Sequence, residues 1–252
     1  MPNKNMPDCH WILPVKCWSA WPALGADAKL RDGAQVPAIG PDVSYVEPML
    51  RRRISSLGKM GLKVAHDCVM SVGDVRLVFA SRHGELRRTT EILHELVRGQ
   101  PVSPTAFSLS VLNAMAGVFG IARHDRSPAI AISAGAETLG YGLLEAYAQY
   151  TSNPAEPVLF VYAHEPRDPI FGPLDELDDE PVAVAILLES DAAQMLECGT
   201  ATISANSESN PISALRSASQ VKALLHCLES GTAADWTSGQ AVWQWRQRAG
   251  AV

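Results

Sequence analysis

The sequence predicts an α/β fold built on a largely buried sheet, much of it parallel. Two apolar runs support this prediction, VRLVFA at 75–80 and VAVAILLES at 182–190. Nearly continuous runs of this length are typical of strands that are buried on both faces. Between them lie amphipathic segments such as ELRRTTEILHELVRG at 85–99, whose apolar residues recur at helical spacing. Strands that alternate with helices are typical of the α/β class.

The first predicted helix begins near Met49, after a stretch rich in proline and glycine that is predicted to be loop, residues 22–48. Its apolar stripe consists of Leu50, Ile54, Leu57, Met60, Leu62, Val64 and Val69. The helix at 85–99 is predicted to end at Gly99, because glycine readily adopts the left-handed conformation that closes a helix.

The remaining predicted elements continue the alternation. They are a helix from about 110 to 122, a strand at 129–133, a helix at 137–150, a strand within 156–165, a loop at 166–181, a possible strand near 199–205 and a helix near 211–229. The tail WTSGQAVWQWRQ at 236–247 is assigned to no element. Its tryptophans, Trp236, Trp243 and Trp245, either contact a partner chain or cover the domain's own sheet.

Charge and composition exclude several classes of protein. The net charge of −6 argues against general nucleic-acid binding, which needs clustered lysine and arginine. Apolar runs are far shorter than the roughly 20 residues of a membrane-spanning helix. Because Pro14 and Lys16 interrupt the N-terminal apolar residues, a secretory leader is not expected. We therefore expect a cytoplasmic protein without membrane insertion.

The polar clusters predict neither a metal site nor a nucleotide site. Five cysteines form no CxxC pair, which suits a reducing compartment and argues against zinc. The acidic residues Asp175, Glu176, Asp178, Asp179 and Glu180 lack the ligand spacing of a cation loop and are interpreted as a solvated loop. No glycine-rich phosphate-binding motif is present in the sequence. Two groups of basic residues lie on two different predicted helices. Each group either contacts an acidic protein or is exposed to solvent. They are Arg51, Arg52, Arg53, Lys59 and Lys63, and Arg87 with Arg88.

A candidate site lies in AISAGAETLGYG, residues 131–142. A short apolar strand, a turn of small residues and the start of a helix are the parts of a nucleophile elbow. In such an elbow the helix N-terminus stabilises a thiolate at the tip of the turn. Here the turn offers Gly135, Ala136 and Glu137, so the elbow lacks a nucleophile.

The surrounding block, residues 102–150, resembles the N-terminal half of the β-ketoacyl synthases of the thiolase superfamily. The matching positions are Ser103-Pro104, Asn113, Ala116-Gly117, Ser127-Pro128 and the strand AIAIS. VLFVYAHE at 158–165 and PLDELDDEPVAVAILLES at 173–190 extend the resemblance, which covers roughly residues 49–190. In this register the nucleophilic cysteine of the family falls on Ala136.

The resemblance implies a thiolase-like layered sandwich, with a buried mixed sheet flanked by helices, and one domain over residues 1–252. The chain looks like a shortened chain-length factor, similar to the small ketosynthase-like proteins of aryl-polyene-type systems. Such a subunit is not expected to condense acyl groups alone, since the family's catalytic histidines belong to a C-terminal half without a counterpart here. The implied partners are a catalytic β-ketoacyl synthase, as a heterodimer, and an acyl carrier protein. No cofactor or metal is implied.

The same resemblance assigns candidate residues for the end of an acyl tunnel. In the family, the segment after the Ser-Pro reaches this tunnel from the dimer partner. The matching residues are Ala106, Phe107, Val111, Leu112 and Met115. A bulky side chain there limits the length of chain accepted, because forcing extra methylenes into a packed site costs about 1–3 kcal/mol.

Two other functions stay open at this point. In the first, Glu137 acts as a base or hydrogen-bonding group beside the helix, in a decarboxylase of malonyl carrier protein or another acyl-processing enzyme. In the second, the chain is a structural adaptor without an acyl pocket, and Phe107 is ordinary core.

Overall fold

The computed structural model describes residues 8–22, 40–172, 180–202, 215–216, 219–239 and 241–249. These residues contain nine strands. They are β1 (Cys9–Trp21), β2 (Arg76–Ala80), β3 (Ala129–Ile132), β4 (Val158–His164), β5 (Val182–Leu188), β6 (Gln194–Thr202), β7 (Leu215–Arg216), β8 (Ala234–Ser238) and β9 (Ala241–Ala249). The α-helices are α1 (Pro48–Arg51), α2 (Ser56–Val69), α3 (Leu86–Val97), α4 (Pro104–Ser108), α5 (Ala114–Arg123), α6 (Thr138–Ser152) and α7 (Gln220–Ser230). Short 3-10 turns cover Gly135–Glu137 and Pro169–Phe171.

All nine strands belong to one mixed sheet in the order β3-β2-β4-β5-β1-β6-β9-β8-β7. The α/β class is confirmed, but the expectation that much of the sheet is parallel is wrong. Only β2 with β3, β2 with β4, and β7 with β8 pair in parallel among the described strands. The other neighbours are antiparallel: β4 with β5, β5 with β1, β1 with β6, β6 with β9, and β9 with β8.

Helices cover both faces of the sheet, and each face has its own hydrophobic cluster. Leu57 of α2 and Phe119 of α5 pack with alternate strand residues such as Phe79 on one face. Leu143 of α6 and Leu224 of α7 pack on the other face. Alternation along each strand sends neighbouring side chains to opposite faces. Burial on both sides explains the continuous apolar runs of β2 and β5.

The middle of the sheet contains a strand that the sequence did not indicate. The segment of β1, CHWILPVKCWSAW, is interrupted by Pro14 and Lys16, which hide its strand pattern. The irregular pairing of β1 with β5 between Val15 and Cys17 places Lys16 at a bulge, where strands tolerate such residues.

The tryptophan-rich tail covers the chain's own sheet. Trp236 lies on β8, and Trp243 and Trp245 lie on β9. All three are buried in the same cluster as Trp11 of β1. Of the two interpretations of these tryptophans, the internal one is therefore correct.

Several helix boundaries differ from the prediction. Ser55 caps α2, its Oγ accepting from Gly58 N at 2.9 Å, and so separates α2 from α1. The basic run 51–53 therefore does not share a helix with Lys59 and Lys63, which corrects that expectation. The helix at 85–99 is confirmed as α3, followed by Gly99 in the left-handed region at φ 67°.

The segment predicted as a helix from about 110 starts later and follows an unpredicted one. Ser103 caps α4, accepting from Ala106 N at 3.3 Å, and α5 begins only at Ala114. Val111 and Leu112 therefore lie in the connection between two helices. The predicted strand near 199–205 is β6 and the helix near 211–229 is α7, although parts of both predictions lie outside the described residues. Four of the five acidic residues of the predicted loop, at 175–179, also lie outside them.

Candidate functional site

The elbow predicted from AISAGAETLGYG forms at the carboxyl end of β3. The strand ends at Ile132, a 3-10 turn spans Gly135–Glu137, and α6 begins at Thr138. Gly135 has φ 58°, a left-handed conformation that glycine adopts without strain. The chain therefore reverses sharply and presents Ala136 at the entrance to α6.

Hydrogen bonds from both sides hold the turn. Thr138, which is buried, accepts from Ala134 N at 2.9 Å through Oγ1 and donates to the carbonyl oxygen of Gly135 at 2.7 Å. Ser133 Oγ donates to the carbonyl oxygen of Arg82 at 2.9 Å and so ties the turn to the loop after β2. The elbow is thus a defined local structure.

Residues far along the chain complete the N-terminus of α6. Gln220 of α7 is only 4% exposed, and its Oε1 accepts from Gly140 N at 3.0 Å. The indole of Trp243 packs against Gly140 so closely that a Cβ at this position would overlap the ring. Sequence reasoning missed both residues, because nothing in the local pattern links positions 80 or more residues apart.

The side chain at the tip of the elbow is chemically inert. Ala136 is half-buried and packs against the cluster that contains Trp243. A methyl group can neither be deprotonated nor form a thioester. Glu137 follows it at the N-cap position of α6 and is half-buried.

Two histidines that are far apart in the sequence lie close together at the end of the sheet that carries the elbow. His164 ends β4 and is buried, and its ring lies 5.7 Å from that of His83, centroid to centroid. His83 follows β2, which lies between β3 and β4 and runs parallel to both. Both histidines therefore lie at the carboxyl ends of these strands, where the elbow also lies.

The described residues include no group of three or more histidine, cysteine, aspartate or glutamate side chains that could hold a metal ion. None of the helices described is long and apolar enough to cross a bilayer.

The five candidate tunnel residues point in different directions. Phe107 on α4 is 65% exposed, and Val111 is also exposed. Leu112 is half-buried over Gly84, whereas Met115 of α5 is fully buried against Gly61. Ala106 precedes Phe107 on α4 and is half-buried. The gating role of these residues stays a prediction.

The outer edge of β3 is open and apolar. Within the described residues β3 is the outermost strand on its side, so one row of its backbone groups has no neighbouring strand. Ile130 of β3 is 38% exposed, and Ile121 of α5, a helix that contacts β3, is 64% exposed. A groove of about 580 Å³ runs between these elements, lined among others by Asn113 and His124. The strand with this open edge, β3, is also the strand that leads into the elbow.

Comparison with known families agrees with this architecture. The family model "Beta-ketoacyl synthase, N-terminal domain" matches residues 18–246. The chain belongs to this family. The resemblance noted in the block 102–150 is therefore confirmed, as is the expected α/β fold of the ketosynthase type. The match also takes in the end of β1 and most of the C-terminal strands, which the sequence resemblance did not cover.

Solved structures of the family share the fold. One is the ketosynthase ApeO in complex with its chain length factor ApeC from Xenorhabdus doucetiae. The match has a TM-score of 0.77 and 24% identity, over 94% of this chain and 99% of that chain. A second, the ishigamide ketosynthase/chain length factor, matches with a TM-score of 0.67 and 14% identity over the same shares.

A β-ketoacyl synthase from Burkholderia phymatum STM815 matches less completely. Its TM-score is 0.52 at 12% identity, over 66% of this chain and 52% of that chain. None of the curated proteins compared with the chain matches it. At these identities the structures establish the ketosynthase-type fold.

Proposed function

We propose that this protein is a non-catalytic subunit, similar to a chain length factor, that forms a heterodimer with a catalytic β-ketoacyl synthase. The observation that carries the proposal is Ala136. The elbow of the family is built in full, with Gly135 in its left-handed conformation and Thr138 anchoring the turn, but its tip is a methyl group. Covalent acyl transfer needs a nucleophile, so a partner must supply it.

The share of each solved structure that is matched supports the same proposal. The match covers 99% of a chain in each of the two ketosynthase and chain length factor structures, but only 52% of the Burkholderia β-ketoacyl synthase. The fold described here therefore corresponds to nearly a whole chain in those two complexes.

The open edge of β3 supplies a surface for the partner. An apolar edge strand without a neighbour favours addition of a strand from another chain. Ile130 and Ala129 of β3 are exposed, and Ile121 of α5 adds exposed apolar area near this strand. Burial of these side chains on association contributes roughly 25 cal/mol for each Å² of apolar surface removed from water.

The finer part of the proposal concerns the acyl chain. Phe107 and Val111 are exposed on this chain, which is the arrangement expected of side chains that fill space in a partner's tunnel. We infer that they set the length of an aryl-polyene-like or fatty acyl chain delivered by an acyl carrier protein. Met115, which is buried behind them, supports α5 against α2.

Reconstitution tests the proposal. This chain and a cysteine-bearing β-ketoacyl synthase from the same genome are assayed with malonyl and acyl carrier proteins, separately and together. We expect the isolated chain to carry no covalent acyl group by mass spectrometry and to release no CO₂, and the pair to elongate. Acyl loading or decarboxylation by the isolated chain would instead favour an enzyme that uses Glu137.

The same assay tests the role of Phe107. In the reconstituted pair, Phe107→Ala is expected to shift the products to longer chains, because it removes the bulk at the tunnel end. Phe171→Ala is the matched control, since Phe171 is an exposed phenylalanine on the separate turn Pro169–Phe171. An unchanged product distribution in both variants would contradict the gating role and would favour a structural adaptor.

A further inference from the structure

Two cysteines lie side by side where β1 crosses α2. Cys17 of β1 donates through Sγ to the carbonyl oxygen of Cys68 of α2 at 3.5 Å. The thiol of Cys68 in turn faces the carbonyl oxygen of Ala185 of β5, at 3.7 Å. Strand β5 pairs with β1, so both thiols occupy the same space between the sheet and α2.

A neighbouring polar contact fixes the position of the helix on the strand. Ser19 Oγ, two residues after Cys17, donates to Asp67 at 2.8 Å, and Lys63 donates to the same carboxylate at 2.6 Å. Asp67 directly precedes Cys68. These contacts therefore fix where α2 lies on β1, and with it the position of Cys68 next to Cys17.

Access to the two thiols differs. Cys17 is half-buried and directly follows the bulged Lys16, whereas Cys68 is buried. A bulge changes the direction of the side chains next to it, and Cys17, which follows the bulge, is the more accessible of the two thiols. A small reagent thus meets Cys17 first.

The two thiols also affect each other's acidity. A side-chain hydrogen bond between the two cysteines lowers the pKa of Cys17 from its ordinary value, against the opposing effect of burial. The same contact, together with burial, raises the pKa of Cys68. The thiolate is the nucleophile in disulfide exchange, so Cys17 is the attacking residue and Cys68 keeps its proton until the second step.

We propose that Cys17 and Cys68 form a redox-active pair that closes to a disulfide when it meets a low-molecular-weight disulfide such as glutathione disulfide. This site lies where β1 crosses α2, apart from the elbow at the end of β3.

The exchange is balanced in two steps. The Cys17 thiolate attacks one sulfur of glutathione disulfide, which forms a mixed disulfide and releases one glutathione thiolate. That thiolate takes the proton of Cys68, and the Cys68 sulfur then attacks the Cys17 sulfur and expels the second glutathione. Two protein thiols are oxidised, and one glutathione disulfide is reduced to two glutathione thiols.

The other cysteines do not share this arrangement. Cys9 is exposed at the start of β1. Cys198 and Cys227 are buried in the cluster on the opposite face of the sheet, and burial raises the pKa of both thiols. They serve as internal controls for selectivity.

The test oxidises the full chain, carrying Cys9→Ser to prevent intermolecular bridging, with glutathione disulfide. We expect the intact mass to fall by two hydrogen atoms, peptide mapping to join the peptides of Cys17 and Cys68, and dithiothreitol to restore the mass. In a Cys68→Ser variant, Cys17 is expected to retain a glutathione adduct. In a Cys17→Ser variant, Cys68 is expected to remain unmodified.

Three results would overturn the proposal. They are a stable glutathione adduct on Cys17 with Cys68 present, a disulfide that joins Cys198 to Cys227 in preference, and an unmodified protein. Circular dichroism of each single variant shows whether it is folded. A missing disulfide in a folded variant is then due to the missing cysteine and not to unfolding.

Discussion

Gly140 is the residue at which the C-terminal part of the chain contacts the first turn of α6. It lies in the first turn of α6, its N–H donates to Gln220, and the ring of Trp243 covers its Cα. Glycine inside a helix costs about 1 kcal/mol relative to alanine. Here that cost is offset by the close packing of an indole ring that anchors β9 beside the elbow.

Replacing Gly140 by alanine tests this packing. The new methyl would overlap the ring of Trp243, and we expect Gly140→Ala to lower the free energy of unfolding by about 1–3 kcal/mol, the usual cost of overpacking. Gly117→Ala in α5 is the control, because a Cβ there meets nothing within 4 Å. It is expected to stabilise by about 0.5–1 kcal/mol. Urea titration of both variants measures the difference, and equal stabilities would contradict the account.

At the scale of elements, α6 receives its cap from another helix. Glu137 holds the N-cap position, yet the acceptor for Gly140 N is the side chain of Gln220 on α7. The free N–H groups of a helix N-terminus need such acceptors when they are buried. The amide of Gln220 therefore couples α7 to the elbow.

A Gln220→Met variant keeps the volume of this side chain and removes the acceptor. We expect a loss of about 1–3 kcal/mol in the free energy of unfolding, because Gly140 N is left buried and unpaired. Gln149→Met provides the comparison. Gln149 donates to Glu145 along the surface of the same helix, a contact that contributes only about 0.2–0.5 kcal/mol. If thermal unfolding shows equal losses in the two variants, Gln220 is not the cap.

Elements with strong local patterns could be predicted from the sequence, and those that depend on distant residues could not. Strands β2, β4 and β5 are apolar on both faces and stood out. Strand β1 did not, because Pro14 and the bulged Lys16 break the pattern. The short helix α4 was missed because a single turn has no periodicity, and α1 was merged with α2 into one predicted helix.

The candidate site likewise contains one part that the sequence predicts and another that it does not. The turn around Ala136 follows from a local pattern of strand, small residues and helix, and the structure contains it. Gln220 and Trp243 reach this turn only through the tertiary fold, so sequence reasoning had no signal for them. His83 and His164 likewise meet because β2 and β4 are neighbours in the sheet.

At the scale of the whole molecule, helices cover both faces of the sheet, and among the described strands β3 has a neighbour on one side only. The elbow follows directly from this open strand, so a partner added there would lie beside the turn that lacks a nucleophile. Ile130 is the exposed apolar residue at the centre of that edge. Ile12 of β1 has nearly the same exposure, 40% against 38%, but lies four strands away, roughly 19 Å across the sheet.

The mass of the assembly in solution tests the central claim most directly. The chain is co-expressed with a cysteine-bearing β-ketoacyl synthase from the same genome and measured by size-exclusion chromatography with light scattering. We expect a one-to-one heterodimer for the natural chain and for Ile12→Asp, and its loss in Ile130→Asp, which places a charge at the edge of β3. Separate elution of the natural chain and the synthase, the latter as its own dimer, would contradict the account.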